Sequence, residues 1–283
     1  MPEHAGEKQE WEFELRPGEQ MKVTPKMKAM FDKHGFIVVR SLFDDEENTK
    51  LRQAAEHNEG LVTESFFTAD ANEGDPGRRD MEMVMWNHPG DDVTGMMVRV
   101  PKMATSMEKL MGCKEVYHWH SWMNMKHARK GGAHIWHQDY GYWYPEGALY
   151  PDIGTVLIGI DACTPENGCL EVLSGSHLCG RVDHVKVGGQ LMIEHERLQE
   201  LKDHLKHYHV PLDPGDAAFT HGNLVHRAPQ NHHKTRRWCY GVAYSDIQNK
   251  FPPSYKPLKK VDDDAIKKCE KISDITGKDF LKE

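Results

Sequence analysis

The sequence has no C-x-x-C pair, no surplus of basic residues and no long apolar run, and each absence disfavours a class of protein. Its six cysteines lack the spacing of a zinc site or a disulfide framework. Lys and Arg number 36 against 44 Asp and Glu, a net charge of -8, which disfavours a general nucleic-acid binder. No stretch reaches the roughly 18 apolar residues of a membrane-spanning helix, and the N-terminus does not resemble an export signal. We expect a cytoplasmic protein without nucleic-acid or membrane partners, and the sequence indicates no oligomeric state.

The N-terminal part predicts helices, and most of the remainder predicts short strands. Residues 24–35 are typical of a helix that Thr24 caps and Gly35 ends, and residues 44–60 of a second helix. Residues 36–40 between them indicate a buried strand. From Val116 onward, short β-like runs alternate with Gly, Pro and Asp, which predicts a sandwich or barrel behind the helices.

The predicted organisation is one domain with two appendages. Residues 1–23 are charged and without period, which predicts a flexible arm, and residues 251–283 predict a helical or polar extension. Within the domain, at 24–250, residues 64–100 predict a long loop that could act as a lid, and residues 190–208 predict a helical insertion.

The stretch "GAHIWHQDYGYWYPEG" at residues 132–147 contains a candidate metal site. His137 and Asp139 lie two apart, so on a strand both side chains point to one face. An H-x-D pattern alone is weak evidence in a chain with 19 histidines, but His226 offers a third ligand. Two histidines and one carboxylate hold Fe(II) and leave coordination positions open for a bidentate 2-oxo acid and O2.

Arg237 supplies the positive charge that such a 2-oxo acid would need. A guanidinium would anchor the far carboxylate of 2-oxoglutarate bidentately, and it does so better than an ammonium. Arg237 also opens a predicted strand whose alternate positions, Cys239, Gly241 and Ala243, are small. The pattern therefore predicts room for a cofactor beside the arginine.

Several of these residues carry a resemblance to a known family. "WHQD", "ENGCLEVLSGSH" and the series His226, Asn231, Arg237, Tyr244 resemble the phytanoyl-CoA dioxygenase family of Fe(II)/2-oxoglutarate oxygenases, over about Met30 to Ser245. The resemblance implies a mainly β fold with flanking helices, the double-stranded β-helix or jelly roll of cupin-like proteins. It assigns iron to His137, Asp139 and His226, and 2-oxoglutarate to Arg237. Family members that halogenate carry a small residue in place of the acidic ligand, so the aspartate implies hydroxylation.

A finer resemblance links "WHQDYGYWYPEG" to ectoine hydroxylases and bacterial proline hydroxylases. It implies that 2-oxoglutarate also contacts Asn124 and Gln138, and that Tyr140 and Trp143 line the substrate pocket, where an aromatic ring could cover a cationic group. Gly141 and Tyr142 replace acidic and threonine residues of the ectoine-type motif, which argues against ectoine itself as the substrate.

We therefore expect a dioxygenase that uses Fe(II), 2-oxoglutarate and O2, with ascorbate as reductant in vitro, to hydroxylate an unactivated C–H bond. A free amino acid or similar polar metabolite is the expected substrate. A fatty acyl-CoA hydroxylase is the alternative within the enzyme class. Two further alternatives are a cupin-like protein that retains a metal without turnover and a zinc hydrolase, which would have no need of Arg237 or Asn124.

Overall fold

A computed structural model of the chain describes residues 8–57, 61, 63–68, 81–130, 132–187, 189–249 and 256–281. The helices are α1 (Pro25–His34), α2 (Asp45–Glu56), α3 (Val93–Arg99), α4 (Pro101–Met111), α5 (Asp139–Trp143), α6 (His195–His204) and α7 (Ala265–Lys268). The strands are β1 (Glu12–Glu14), β2 (Phe36–Arg40), β3 (Phe66–Thr68), β4 (Met81–Asn87), β5 (Val116–Lys126), β6 (His134–His137), β7 (Ile153–Gly159), β8 (Leu170–Leu173), β9 (His184–Val187), β10 (Gln190–Ile193), β11 (His207–Val210), β12 (Ala217–His221), β13 (His226–Ala228), β14 (Arg237–Asp246) and β15 (Asp279–Leu281). No described helix is long and apolar enough to cross a membrane.

Two sheets make up most of the structure. The larger one runs in the order β1-β2-β12-β7-β14-β5-β4-β15, with β3 also paired to β4, and the smaller one in the order β11-β8-β13-β6. Strands β9 and β10 form a separate two-stranded pair. The predicted mainly β architecture with flanking helices is therefore confirmed.

Strand β2 shows how the larger sheet is covered on both faces. Ile37 and Val39 pack into the core that contains Phe31 of α1 and Leu51 of α2. The alternate residues, such as Phe36, pack with side chains of the smaller sheet. Because successive strand residues point to opposite faces, one apolar run serves both layers. The helices therefore close one face and the smaller sheet closes the other.

The predicted helices at the N-terminus are present. Helix α1 begins after Thr24, whose hydroxyl accepts a hydrogen bond from the Met27 amide, and ends at Gly35 with a left-handed φ of 80°. Helix α2 is capped by Asp44 and contains three acidic residues in its first turn, where the helix dipole favours negative charge.

Two segments differ from their predicted structure. Residues 64–100 were expected to form a long loop, but their described parts contain β3, β4 and α3, and the remainder, 69–80, lies outside the described residues. Residues 190–208 were expected to be helical, but α6 there is flanked by β10 and by the start of β11. The expectation of a loop was therefore wrong. The expected helix is present but shorter, because pairing of β10 with β9 and of β11 with β8 determines the two ends of the segment.

The predicted arm and extension both contribute strands to the larger sheet. Trp11 is buried, and β1 pairs in parallel with β2. At the other end, β15 pairs with β4, and residues 256–281 pack against the helical core. The expectation of a loose arm is thus wrong for residues 11–14, and the C-terminal segment is more than a polar tail.

A buried ion pair fixes this C-terminal segment, and its loss should be costly. Lys278 donates to Asp92 at 2.8 Å with both side chains fully buried, and Asp92 also accepts from the Gly95 amide at the start of α3. We expect Asp92→Ala to lower the free energy of unfolding by about 3–5 kcal/mol, because it leaves a buried ammonium without its partner. Urea denaturation measures this change.

The neighbouring Asp91 provides the matched control. It pairs with Arg99, but its side chain is 74% exposed. We expect Asp91→Ala to cost at most about 1 kcal/mol. An equal decrease in the free energy of unfolding of both variants would show that burial of the Lys278–Asp92 pair does not contribute to stability.

Candidate active site

The smaller sheet brings two histidines face to face. Strands β6 and β13 are antiparallel, and His226 lies directly opposite His137, with ring centroids 4.2 Å apart. Strand β6 ends at His137, and Asp139 is the first residue of α5. Gln138 between them is extended, with φ −110° and ψ 138°, so the two side chains lie on the same side of the chain, as their spacing predicted. The strand itself does not continue, because Asp139 begins a helix.

The three side chains point their ligand atoms at one another. Asp139 Oδ1 lies 3.5 Å from Nε2 of His137 and 3.6 Å from Nε2 of His226. Nδ1 of His137 donates to the Ile135 carbonyl at 2.6 Å, and Nδ1 of His226 donates to the Leu224 carbonyl at 2.9 Å. These bonds select the tautomer whose Nε2 lone pair faces the centre, as a metal ligand requires.

The protonation states also suit a metal. Burial by itself would raise the pKa of Asp139, but His226, His137 and the Thr155 hydroxyl outweigh it and lower that pKa to about 2. Burial, together with the neighbouring His137, lowers the pKa of His226 to about 4. At neutral pH the Asp139 carboxyl is therefore ionised and the His226 imidazole is neutral, the forms that bind metal ions.

The donor set fits ferrous iron. The ligand atoms of His137, Asp139 and His226 lie within 4.8 Å of one another. The Nε2 atom of His137 is buried, and it has no hydrogen-bond partner among the described residues. A buried polar atom without a partner is costly, and a cation at the centre would satisfy it. Two imidazoles and one carboxylate form the ligand set of non-haem Fe(II) oxygenases, with further positions left open.

A cavity of about 400 Å³ lies between the two sheets and contains the triad. Most of its wall is apolar or aromatic. The smaller sheet and α5 contribute His134, Leu170, Tyr142 and Trp143, and the larger sheet contributes Met83, Met85, Trp122, Leu157 and Leu281. The volume lies within the roughly 300–1,000 Å³ typical of small-molecule sites.

Arg237 lies in the cavity wall, where the sequence placed it. It is 1% exposed, and its guanidinium donates to the Gly168 carbonyl at 2.5 Å and to Cys239 Sγ at 3.2 Å. Its Nε is buried and has no hydrogen-bond partner among the described residues. No carboxylate of the described residues pairs with the guanidinium. A buried guanidinium without a carboxylate partner favours an anionic ligand.

Two further polar residues of β5 lie close to this arginine. Asn124 lines the cavity and is opposite Cys239 in the sheet, and its Oδ1 is buried without a partner among the described residues. Lys126 is opposite Arg237 and donates to the carbonyls of Ala228, at 2.7 Å, and Pro229. A contact between Asn124 and 2-oxoglutarate stays a prediction.

Gln138 and Tyr140 do not occupy the positions predicted for them. The Gln138 amide donates to the carbonyls of Gly180 and Asn223 and accepts from the Val182 amide, so it holds loops together outside the cavity wall. Tyr140 donates to the Ala148 carbonyl at 3.1 Å and packs in an aromatic cluster behind Trp143. The predicted roles of Gln138 in binding 2-oxoglutarate and of Tyr140 in the pocket are therefore wrong.

The small residues of β14 have a different use from the one expected. A Cβ atom at Gly241 would lie 2.2 Å from the indole of Trp122, so the glycine makes room for a cavity-lining side chain rather than for the cofactor itself.

Gly141 of α5 is also closely packed, since a Cβ atom there would lie 2.4 Å from the His184 ring. Gly141, which departs from the ectoine-type motif, is thus required by close packing.

Thr155 belongs to the site, although no motif in the sequence predicts it. It lies on β7 and donates from Oγ1 to Asp139 Oδ2 at 2.8 Å, which leaves Oδ1 facing both histidines. The side chain thereby fixes the carboxylate rotamer. Only the packing of β7 against α5 brings the two residues together.

We expect Thr155→Val to weaken Fe(II) binding by about 10–100-fold, because partners that orient metal ligands typically have effects of this size. Thr155→Ser keeps the hydroxyl and should retain affinity within a few-fold. Competition with a chromophoric chelator under anaerobic conditions measures both. Wild-type affinity in the valine variant would exclude a positioning role for the hydroxyl.

The fold and the His–Asp–His group together define an Fe(II)- and 2-oxoglutarate-dependent oxygenase, and comparison with known proteins identifies the family. The family model described as phytanoyl-CoA dioxygenase (PhyH) matches residues 31–239. The chain belongs to the phytanoyl-CoA dioxygenase family. It is accordingly a dioxygenase with Fe(II) and 2-oxoglutarate as cofactors.

Individual relatives agree with this assignment. The chain is 28% identical to L-proline trans-4-hydroxylase of Streptomyces griseoviridis over 243 residues, and this alignment covers 78% of this chain and 86% of that protein. It is 25% identical over 247 residues to ectoine dioxygenase of Bordetella parapertussis, covering 80% and 76%. The crystal structure of EctD from S. alaskensis with 2-oxoglutarate and 5-hydroxyectoine superimposes with a TM-score of 0.65 at 22% identity, over 84% of this chain and 80% of that one. The jelly-roll fold expected from the sequence is confirmed.

Proposed function

We propose that the protein hydroxylates an unactivated C–H bond of a free amino acid or similarly small polar metabolite, with release of succinate and CO2. The cavity carries this proposal. It is apolar along most of its wall, and the exposed residue Glu146 also lines it, which places a carboxylate at the opening. A carboxylate and the indole of Trp143 in the wall of one cavity suit an ammonium group on a compact, partly apolar molecule.

The relatives support a substrate of this kind. L-Proline trans-4-hydroxylase and ectoine dioxygenase act, as their names state, on small molecules, and the chain covers most of the first of these proteins. Gly141 and Tyr142 still argue against ectoine itself. An amino acid with an apolar ring or chain therefore fits better than a large conjugate.

An acyl-CoA fits the cavity less well. Its phosphates would need several cations at the opening, but among the described lining residues Arg237 is the single Lys or Arg, and it is buried. Glu146 would repel phosphates at the opening. This distribution of charge disfavours the fatty acyl-CoA alternative.

Each group of the site has a part in the proposed reaction. His137, Asp139 and His226 would hold the iron, and Arg237 with Asn124 would bind and orient 2-oxoglutarate. Iron with 2-oxoglutarate and O2 supplies the oxidant that converts a C–H bond to C–OH, while 2-oxoglutarate becomes succinate and CO2. The aromatic wall excludes water and positions the C–H bond of the substrate.

Succinate release tests the proposal. Protein loaded anaerobically with Fe(II) is given 2-oxoglutarate, O2 and ascorbate, with a panel of amino acids and acyl-CoAs. We expect an amino acid to stimulate succinate release, with an equal amount of a product 16 mass units heavier, the mass of one oxygen atom. Stimulation by acyl-CoAs alone would overturn the substrate class. Stoichiometric iron binding without turnover would indicate a metal-retaining binding protein, and 2-oxoglutarate-independent hydrolysis with zinc would indicate a hydrolase.

A further inference from the structure

A second group of metal-ligating side chains lies on the opposite face of the smaller sheet. We call it the outer cluster, and it consists of Glu171, His207 and His209. Strand β8 alternates between the two faces, since Leu170 lines the cavity and Glu171 points away from it. His209 lies directly opposite Glu171 on β11, and His207 lies two residues away on the same face. Strand pairing therefore assembles the group from two neighbouring strands.

The ligand atoms of the outer cluster are already close. His207 Nε2 lies 2.8 Å from Glu171 Oε2, His209 Nδ1 lies 3.8 Å from Glu171 Oε1, and the ligand atoms are all within 4.8 Å of one another. Zinc bonds of about 2.0–2.2 Å in a tetrahedral arrangement separate neighbouring ligand atoms by about 3.4 Å. The observed separations lie on both sides of this value, so small side-chain rotations would complete the site.

We propose that the outer cluster is a binding site for Zn²⁺ or a similar borderline divalent cation, separate from the iron triad. Two imidazoles and one carboxylate suit Zn²⁺, Co²⁺ or Ni²⁺ better than Mg²⁺ or Ca²⁺, which prefer oxygen ligands. The carboxylate of Glu171 is 4% exposed, whereas His207 and His209 are 35% and 23% exposed. The group is thus open to solvent on the histidine side, which gives the ion a path of entry.

Arg227 stabilises the carboxylate of the outer cluster and also limits its affinity. Its Nε donates to Glu171 Oε2 at 2.8 Å, and its guanidinium lies over the Trp136 ring at 5.1 Å. The contact fixes the carboxylate, in the way that hydrogen-bond partners orient metal ligands. The positive charge opposes a bound cation, so we expect the outer cluster to bind the ion more weakly than the triad does.

The sequence contains a signal for this site. The stretch "HYHV" places two histidines two apart, and on a strand they share a face. Strand β11 places both imidazoles on the face that also carries Glu171.

Metal titration of the metal-free protein, residues 1–283, tests the proposal. Co²⁺ serves as the probe because four-coordinate sites absorb visible light much more strongly than six-coordinate ones, and calorimetry with Zn²⁺ gives the stoichiometry. We expect wild type to bind two equivalents and His137→Ala to retain the outer one. His209→Ala should lose the strong Co²⁺ absorption and weaken the outer site at least about 100-fold, since even residues that only orient ligands cost 10–100-fold.

Two variants provide the controls. His207→Ala leaves the Glu171–Arg227 pair intact, so loss of the outer equivalent in this folded variant cannot be attributed to the broken ion pair. His195→Ala removes an exposed histidine of α6 and should keep both equivalents. Succinate release should stay within twofold of wild type in both. A single equivalent in wild type, or a second one that survives His207→Ala and His209→Ala, would overturn the proposal.

Discussion

We expect His137→Ala to lose the equivalent of Fe(II) that the triad binds and to release succinate at less than about one hundredth of the wild-type rate. Residues that merely orient metal ligands typically contribute 10–100-fold, so loss of a ligand should exceed that range. The Nε2 atom of His137 is buried and lies 3.5 Å from Asp139 Oδ1, so the substitution removes one of the three ligand atoms that face one another. Anaerobic iron titration and succinate assays measure the two effects.

His120→Ala is the control for a cavity histidine that is not a ligand. His120 lines the same cavity and packs edge-on against Trp143, with ring centroids 5.7 Å apart. We expect this variant to retain one equivalent of iron even if substrate binding changes. Thermal denaturation shows whether each variant is folded. Retention of iron and turnover by folded His137→Ala would exclude His137 as a ligand.

The triad could be predicted because the conformation it needs is local. Gln138 is extended, so His137 and Asp139 lie on the same side of the chain, as the spacing of two residues predicted. His226 joins them because β13 pairs with β6. The prediction did not need the strand to continue beyond Asp139.

The roles predicted for Gln138 and Tyr140 were wrong because they assumed that strand β6 continues past Asp139. Helix α5 changes the period from two to 3.6 immediately after the metal motif. Tyr142 and Trp143 consequently line the cavity, while Tyr140 packs behind it. Gln138 lies between β6 and α5, and its side-chain amide makes hydrogen bonds with backbone groups. A short helix without a cap or periodic pattern gives no signal that sequence reasoning can use.

Other parts of the cavity depend on contacts between distant segments. Thr155 meets Asp139 only through packing between β7 and α5, and Leu281 reaches the wall only because β15 pairs with β4. Pairing between strands so far apart in the sequence is decided by the assembled core. The helix α1, whose cap and end lie within its own sequence, could be predicted for the opposite reason.

The second large effect concerns Arg237. We expect Arg237→Gln to raise the KM for 2-oxoglutarate by about 30-fold or more, with a much smaller change in kcat at saturating 2-oxoglutarate. Truncating one partner of a buried, hydrogen-bonded charge pair costs about 2–5 kcal/mol, and each 1.4 kcal/mol corresponds to a factor of ten in affinity. Arg237→Lys keeps the charge but loses the bidentate fork, so its KM should be intermediate.

Arg236 is the matched control because it differs from Arg237 mainly in its environment. It pairs with Glu56 and with Asp161, at 3.0 Å, on the partly exposed side of the strand. Arg237 is buried in the cavity wall, and the described residues provide it with no carboxylate. Arg236→Gln should therefore leave the KM for 2-oxoglutarate unchanged, although it removes the same positive charge. If both variants raised KM equally, a general loss of positive potential would explain the effect, and a dedicated carboxylate site at Arg237 would be excluded.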